Sequence, residues 1–200
     1  MVGDSPQHAD ALRLIVELGL RPVEVLHLSV QKEETTGQKR WWCSYVNNGG
    51  KGSTKPRWCY ALPLEDLEGG HVEWKLMERW ESGDIQLPAL DATNGPADAM
   101  RSWLSKKPYW KDLVRRVQAR GKRTTLYSLR HSYSLRGHHL GISSAAMAHA
   151  MGHSEQTHAA HYPWASDRGT TKAFENALRQ KNNSNGRQLT RNCLHASILV

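Results

Sequence analysis

Residues 124–162 read TTLYSLRHSYSLRGHHLGISSAAMAHAMGHSEQTHAAHY, and the spacing within this stretch decides what kind of domain the chain builds. Leu126, Leu129 and Tyr133 recur three and four residues apart, the period of an α-helix rather than of a strand. That pattern predicts a helix over 124–140, stopped at Gly141. An alanine-rich helix over 143–151 follows, stopped at Gly152, and a further turn or two over 155–162 ends before Pro163. Arg130 sits inside the apolar stripe of the first of these helices, so it is expected to turn toward a site rather than toward bulk water. Gly152 presents His153 at a helix boundary, and Tyr162 comes nine residues after that histidine.

Reading outward toward the N-terminus, RWWCSYV (40–46) and RWCYAL (57–62) are aromatic-rich runs of strand type. NNGGKGSTKP (47–56) joins them as a long hairpin connection that carries Lys51 and Lys55. Cys43 and Cys59 fall in these two strands and are expected to be a reduced, buried pair. Before the hairpin, helical spacing covers 8–20, breaks at Gly19, and resumes over 22–28 with Pro22 in a first turn, where its missing N–H costs nothing. Beyond it, helical spacing returns over 63–80, a loop is expected over 82–95, and helices over 96–104, 109–121 and 174–181. The expectation is therefore a mainly α chain with one small antiparallel β-sheet (an α+β fold), forming one domain over 1–181. The polar NNSNGRQLTRN segment opens a flexible tail over 182–200.

Composition narrows the function classes. The chain has 200 residues, enough for one substantial core. No apolar run approaches the ~18 residues of a membrane span, and the polar start lacks a secretory pattern, so a cytoplasmic protein is expected. Its three cysteines form no C-x-x-C arrangement, which argues against a disulfide framework or a thiolate metal site. There are 27 Lys and Arg against 19 Asp and Glu, a formal charge of +8 that suits a polyanionic partner.

Three dispersed segments carry candidate chemistry. In LGLRPVEVLHL (18–28) an arginine follows a helix break and meets Glu24 three residues later. Alone, this is also how an ordinary surface ion pair looks. The hairpin lysine can deliver a proton or a charge into a groove, although a solvated turn has the same sequence. The third segment is the YSLRH box (127–131), the GHS box (152–154) and Tyr162.

Taken in order, these segments resemble the tyrosine recombinases of the phage-integrase family. The resemblance rests on Arg21 with Glu24 in a G-L-R-x-x-E setting, Lys51 on a glycine-rich hairpin, and Tyr127 through Arg130 to His131. Gly152–His153–Ser154 and Tyr162 complete it, and it spans about residues 11 to 165. It implies a recombinase catalytic-domain fold and a site-specific DNA breaking and rejoining enzyme acting in integration or excision. Tyr162 would attack a phosphodiester, leaving a 3′-phosphotyrosyl link and a free 5′-hydroxyl. Arg21 and Arg130 would clamp the phosphate, Lys51 would protonate the leaving oxygen, and His153 would hydrogen-bond the phosphate. Glu24 and His131 would support them, His131 by bracing the pocket or helping to deprotonate Tyr162. No metal or cofactor is implied, because the arginines supply the positive charge. The implied partner is double-stranded DNA, with the protein a monomer alone and a tetramer on DNA, associated with the nucleoid when bound. Family members carry an N-terminal helical domain for which the chain has no room, so an excised catalytic domain or truncated product is expected.

Two departures keep alternatives open. Tyr127 stands where the family has histidine or lysine, and a phenol is a poor proton carrier near neutral pH. This allows a DNA-binding relative with impaired catalysis. Lys55 shares the loop with Lys51, which is favoured for its G-K-G setting. Seven of the eleven histidines lie between His131 and His161, so a metal-binding domain is a further alternative. Against it, His149 and His153 are not part of H-E-x-x-H, and Gly152 would break the helix presenting both.

Overall fold

The computed structural model describes residues 5–47, 53–66 and 68–163, together with residue 175. The hairpin tip with Lys51, the expected helix over 174–181 apart from residue 175, and the tail over 182–200 lie outside the described residues. Helix α1 (Pro6–Leu18) begins with proline in its first turn and closes on Gly19 in the left-handed region, φ +65°. Gly19 has a second reason to lack a side chain, since a Cβ there would lie 2.3 Å from the Tyr133 ring. Pro22–His27 then forms a 3₁₀ helix, and strand β1 (Leu28–Lys32) follows directly.

That strand corrects the expectation of a helix ending at 28. Leu28 pairs with Cys43 and Val30 with Trp41, so β2 (Lys39–Cys43) is the centre of a three-stranded antiparallel sheet closed by β3 (Arg57–Cys59). Beyond β3 a second correction is needed, because 63–80 is not one helix. Leu64–Glu65 (β4) and His71–Val72 (β5) make a two-stranded ribbon, and only Leu76–Glu81 (α2) is helical. The Asp66 carboxylate accepts hydrogen bonds from the Glu68 and Gly70 backbone N–H groups, a side-chain-capped turn that outcompetes the helix.

The remaining helices fall where their spacing predicts them: α3 (Pro96–Ser105), α4 (Pro108–Gln118), α5 (Tyr127–His139), α6 (Ser144–Met151) and α7 (Glu155–His161). The architecture is thus mixed helix and small antiparallel sheet. Among the described residues no helix is long and apolar enough to cross a membrane. The main core joins α1 (Leu12, Leu14, Ile15, Leu18) to the sheet (Trp41, Cys43, Cys59) and to Met100 and Leu104 of α3. A smaller cluster of Leu62, Tyr133, Met147, Met151 and Tyr162 fills the space between β3 and helices α5 to α7. Cys43 and Cys59 are free thiols buried on the inward face of the sheet. The catalytic candidates lie where α1, the sheet and α5–α7 converge.

Candidate active site

A buried carboxylate organises the site. Glu24 is fully excluded from solvent and receives three guanidinium groups. Arg57 meets it in bidentate fashion, Nη1 to Oε1 at 3.1 Å and Nη2 to Oε2 at 3.0 Å. Arg21 donates from its backbone N–H and from Nη1, each at 2.7 Å. Arg130 donates from Nη1 at 3.4 Å. Burial alone would push the Glu24 carboxyl up. Arg57, with Arg130 and Arg21, outweighs that effect and holds it below the usual carboxylate range.

One carboxylate facing three guanidiniums leaves positive charge to spare. Arg130, 2% exposed, is pinned by bonds from Nη1 to the Gly19 carbonyl and from Nη2 to the Met151 carbonyl. Arg21 keeps 24% of its side chain exposed. It donates to Thr54 Oγ1 and to the Gly152 carbonyl, each at 3.2 Å. Arg21 and Tyr127 line one groove of about 530 Å³, together with Arg101 and Arg123. No Asp or Glu is among the described residues lining that groove, so a bound anion would meet the three arginines there.

The GHS box is built by capping. Gly152 ends α6 in the left-handed region, φ +68°, and Ser154 caps α7 by accepting from the Thr157 N–H. A Cβ at Gly152 would lie 2.7 Å from the Arg57 guanidinium. This glycine is therefore required both by its backbone angle and by the arginine passing beneath it. Arg57 Nε donates to the Ala150 carbonyl at 2.9 Å and so ties β3 to the end of α6. His153, held next to this junction, shares a hollow with Lys55 and His149.

Tyr162 follows α7 and is 4% exposed. Its hydroxyl lies 2.7 Å from His131 Nδ1. Burial raises the Tyr162 hydroxyl above its ordinary pKa, with the Arg130 charge opposing. His131 is lowered by burial, by His161 and by Arg130, so it is neutral near pH 7 and has one ring nitrogen free to accept. Tyr127 is 44% exposed, and its ring packs edge-on against His131 at 5.1 Å.

Of the residues picked from the sequence, Arg21, Glu24, Tyr127, Arg130, His131, His153 and Tyr162 come together here. Lys51 lies outside the described residues, whereas Lys55 is placed beside His153. Sequence reasoning missed Arg57, His138 and His158. A signal existed for Arg57, because alternation along β3 puts it on the same inward face as Cys59. For the histidines the clustering over 131–161 was the signal, but not their pairing, which lies in contacts across helices. Most of the histidine cluster is engaged within itself or with Tyr162. Among the described residues no three His, Cys, Asp or Glu side chains gather so as to hold a metal ion.

The buried histidines imply acid lability. Burial lowers His153 to about 3 and His158 to about 4, from an ordinary 6.5. The unfolded chain therefore binds more protons below pH 6.5, and stability is lost as pH falls from there through the folded values. Glu24, held below its ordinary 4.5, acts in the same direction over a lower range. Thermal unfolding followed across pH should show the midpoint already falling between pH 6.5 and 4.5, before the carboxylates titrate. A midpoint flat over that interval would contradict the placement of these histidines.

Comparison with protein-family models, with curated proteins and with solved structures gives no match.

Proposed function

We propose that this chain cleaves and rejoins double-stranded DNA through a 3′-phosphotyrosyl intermediate, in the manner of the tyrosine recombinases its motifs resemble. The observation that carries the reading is the 2.7 Å contact between Tyr162 Oη and His131 Nδ1, beside two arginines fixed on one buried glutamate. A nucleophile, a neutral base and a surplus of fixed positive charge thus share one site.

In this reading His131 Nδ1 takes the hydroxyl proton as Tyr162 Oη attacks phosphorus. The new bond is P–Oη and the broken bond is P–O5′. Arg21 and Arg130 stabilise the added negative charge on the non-bridging oxygens, and their rigid mounting means little reorganisation as the charge develops. A hairpin lysine, Lys51 or Lys55, protonates the departing 5′-oxygen. Rejoining is the reverse, with the 5′-hydroxyl attacking the phosphotyrosyl phosphorus, so no ATP is consumed. Because Tyr162 and Arg130 are buried in the free protein, DNA must lift the end of α7 before reaction. A protein monomeric alone and tetrameric on DNA fits this requirement for a partner-driven opening.

A second reading, DNA binding without cleavage, is favoured by Tyr127, which occupies the groove beside Arg21 where a better proton donor would serve catalysis. One experiment separates the two. The protein is incubated with supercoiled plasmid, quenched in detergent and examined for a covalent protein–DNA adduct, with binding measured in parallel across salt. Cleavage predicts an adduct, and both readings predict binding that weakens with a log–log slope of about −0.9 per phosphate contacted. Binding without adduct selects the second reading. A flat salt response removes both.

A further inference from the structure

The groove beside Arg21 has a composition that a phosphate clamp alone does not explain. Its volume of about 530 Å³ falls within the ~300–1,000 Å³ of ordinary ligand pockets, so it is a recess rather than a flat rail for a duplex edge. Arginines from separate parts of the chain line it: Arg21 ahead of the 3₁₀ helix, Arg101 on α3, and Arg123 in the connection from α4 to α5. Arg101 is 66% exposed and pairs with Asp98 at 2.9 Å, a surface ion pair that costs little to give up. Arg123 is exposed and makes no ion pair or hydrogen bond with another described residue.

Between the arginines the wall is apolar and aromatic. Pro22, Val23, Pro96 and Leu126 supply aliphatic surface, and Tyr45 and Tyr127 supply rings. Tyr127 is half-exposed, with its ring edge-on to His131, and Tyr45 leans on His27 at 5.1 Å. Asn94, exposed on the same wall, offers an amide that both donates and accepts.

A fully paired duplex cannot use that wall. It turns phosphates and sugars outward and keeps the faces of its bases stacked inside, so it would meet the arginines and leave the rings idle. An unpaired nucleotide uses both, since its phosphate meets a guanidinium and its base lies on an aromatic ring, the combination by which proteins hold single strands. We propose that this groove holds an unpaired nucleotide of the DNA strand next to the scissile phosphate, with Arg101 and Arg123 on its phosphate and its base on the tyrosine wall. This rests on the cleavage reading, because breaking the P–O5′ bond frees a strand end that must leave its complement before it is rejoined elsewhere. Arg21 stands at the junction, lining the groove while bonded to Glu24 among the buried arginines. A nucleotide held there stays beside the site, and stacking offsets part of the cost of unpairing it.

The test compares the affinity of the full chain for two DNA duplexes of one sequence, one fully paired and one with a short unpaired bubble, by fluorescence anisotropy at fixed salt. The bubble should bind about five- to 150-fold more tightly, the worth of stacking one base on an aromatic ring. That preference should be lost in the double variant Tyr45→Leu, Tyr127→Leu, and Arg123→Ala should weaken the bubble more than the duplex. Should the double variant fail to fold, the single substitutions and Arg123→Ala decide. Equal affinities in the wild type overturn the proposal, as does a preference that the substitutions leave unchanged. Single-stranded RNA bound more tightly than the same DNA sequence, or a free deoxynucleoside monophosphate that displaces the bubble at equal concentration, also overturns it. The covalent adduct on supercoiled plasmid separates the two claims. An adduct without bubble preference upholds cleavage and removes the groove, whereas a preference without adduct upholds the groove and removes cleavage.

Discussion

Glu24→Ala should destabilise the fold by about 3–5 kcal/mol, the range expected when one partner of a buried ion pair is removed. The reason is what stays behind rather than what is lost. Arg57 and Arg130 are 3% and 2% exposed, and neither can reach water to replace the carboxylate. Their guanidiniums would be left to repel each other and Arg21 at close range, in a place where charge is expensive. Against a typical net stability of about 5–15 kcal/mol this is a large share. Urea unfolding followed by circular dichroism should show a midpoint lowered by more than about 1 M, given a slope of about 1–3 kcal/mol per molar. Glu24→Gln should fall between the two, because its amide oxygen still accepts while its NH₂ group opposes a donor. Arg21→Ala should cost the fold far less, since Arg21 is the member of the group with a route to solvent. A Glu24→Ala protein within about 0.5 kcal/mol of wild type would mean that the carboxylate does not hold the three arginines together.

The arginines also show what the sequence made legible and what it did not. The stretch over 124–162 could be read directly because each break coincides with a glycine whose left-handed backbone the helix end requires, as at Gly152. Arg21, Glu24, Arg130, His153 and Tyr162 stand out in the sequence by order and spacing, and the fold brings them together. Arg57 carries as much of the buried charge as Arg130, yet its meaning depends on Glu24, 33 residues away. No local pattern encodes that pairing. Strand β1 was hidden because Leu28 continues the apolar run of the turn before it and only Val30 alternates beyond, too short a pattern to read as a strand without its pairing to β2. The ribbon at 64–72 misled for the opposite reason. Leu64, Leu67, Val72 and Leu76 match a helical period, but the Gly69–Gly70 pair and the Asp66 carboxylate create a local turn that propensity sums underweight.

Tyr162→Phe should abolish the covalent protein–DNA adduct altogether while leaving the fold and DNA binding nearly intact. Removing the hydroxyl deletes the atom that would bond to phosphorus, and no residual rate can come from a phenyl ring. The ring itself stays packed against Leu62, Tyr133, Met147 and Met151. The stability change should therefore be limited to the hydroxyl's own hydrogen bonding, about 0.5–1.5 kcal/mol per bond, partly offset because a buried hydroxyl no longer needs a partner. The salt slope of binding should not change, since the arginines that neutralise phosphate are untouched. Two other phenols near the site are the natural rivals. Tyr133 is buried, its hydroxyl donates to the Tyr60 carbonyl, and burial pushes its pKa upward, so it is poorly placed and poorly ionised for attack. Tyr127 is exposed and lies beside the same histidine. An adduct that persists in Tyr162→Phe and vanishes in Tyr127→Phe would transfer the nucleophile to Tyr127 and leave Tyr162 a packing residue with a capped hydroxyl. An adduct lost only in Tyr162→Phe would fix Tyr162 as the nucleophile, with His131, whose Nδ1 lies 2.7 Å from that oxygen, placed to take its proton.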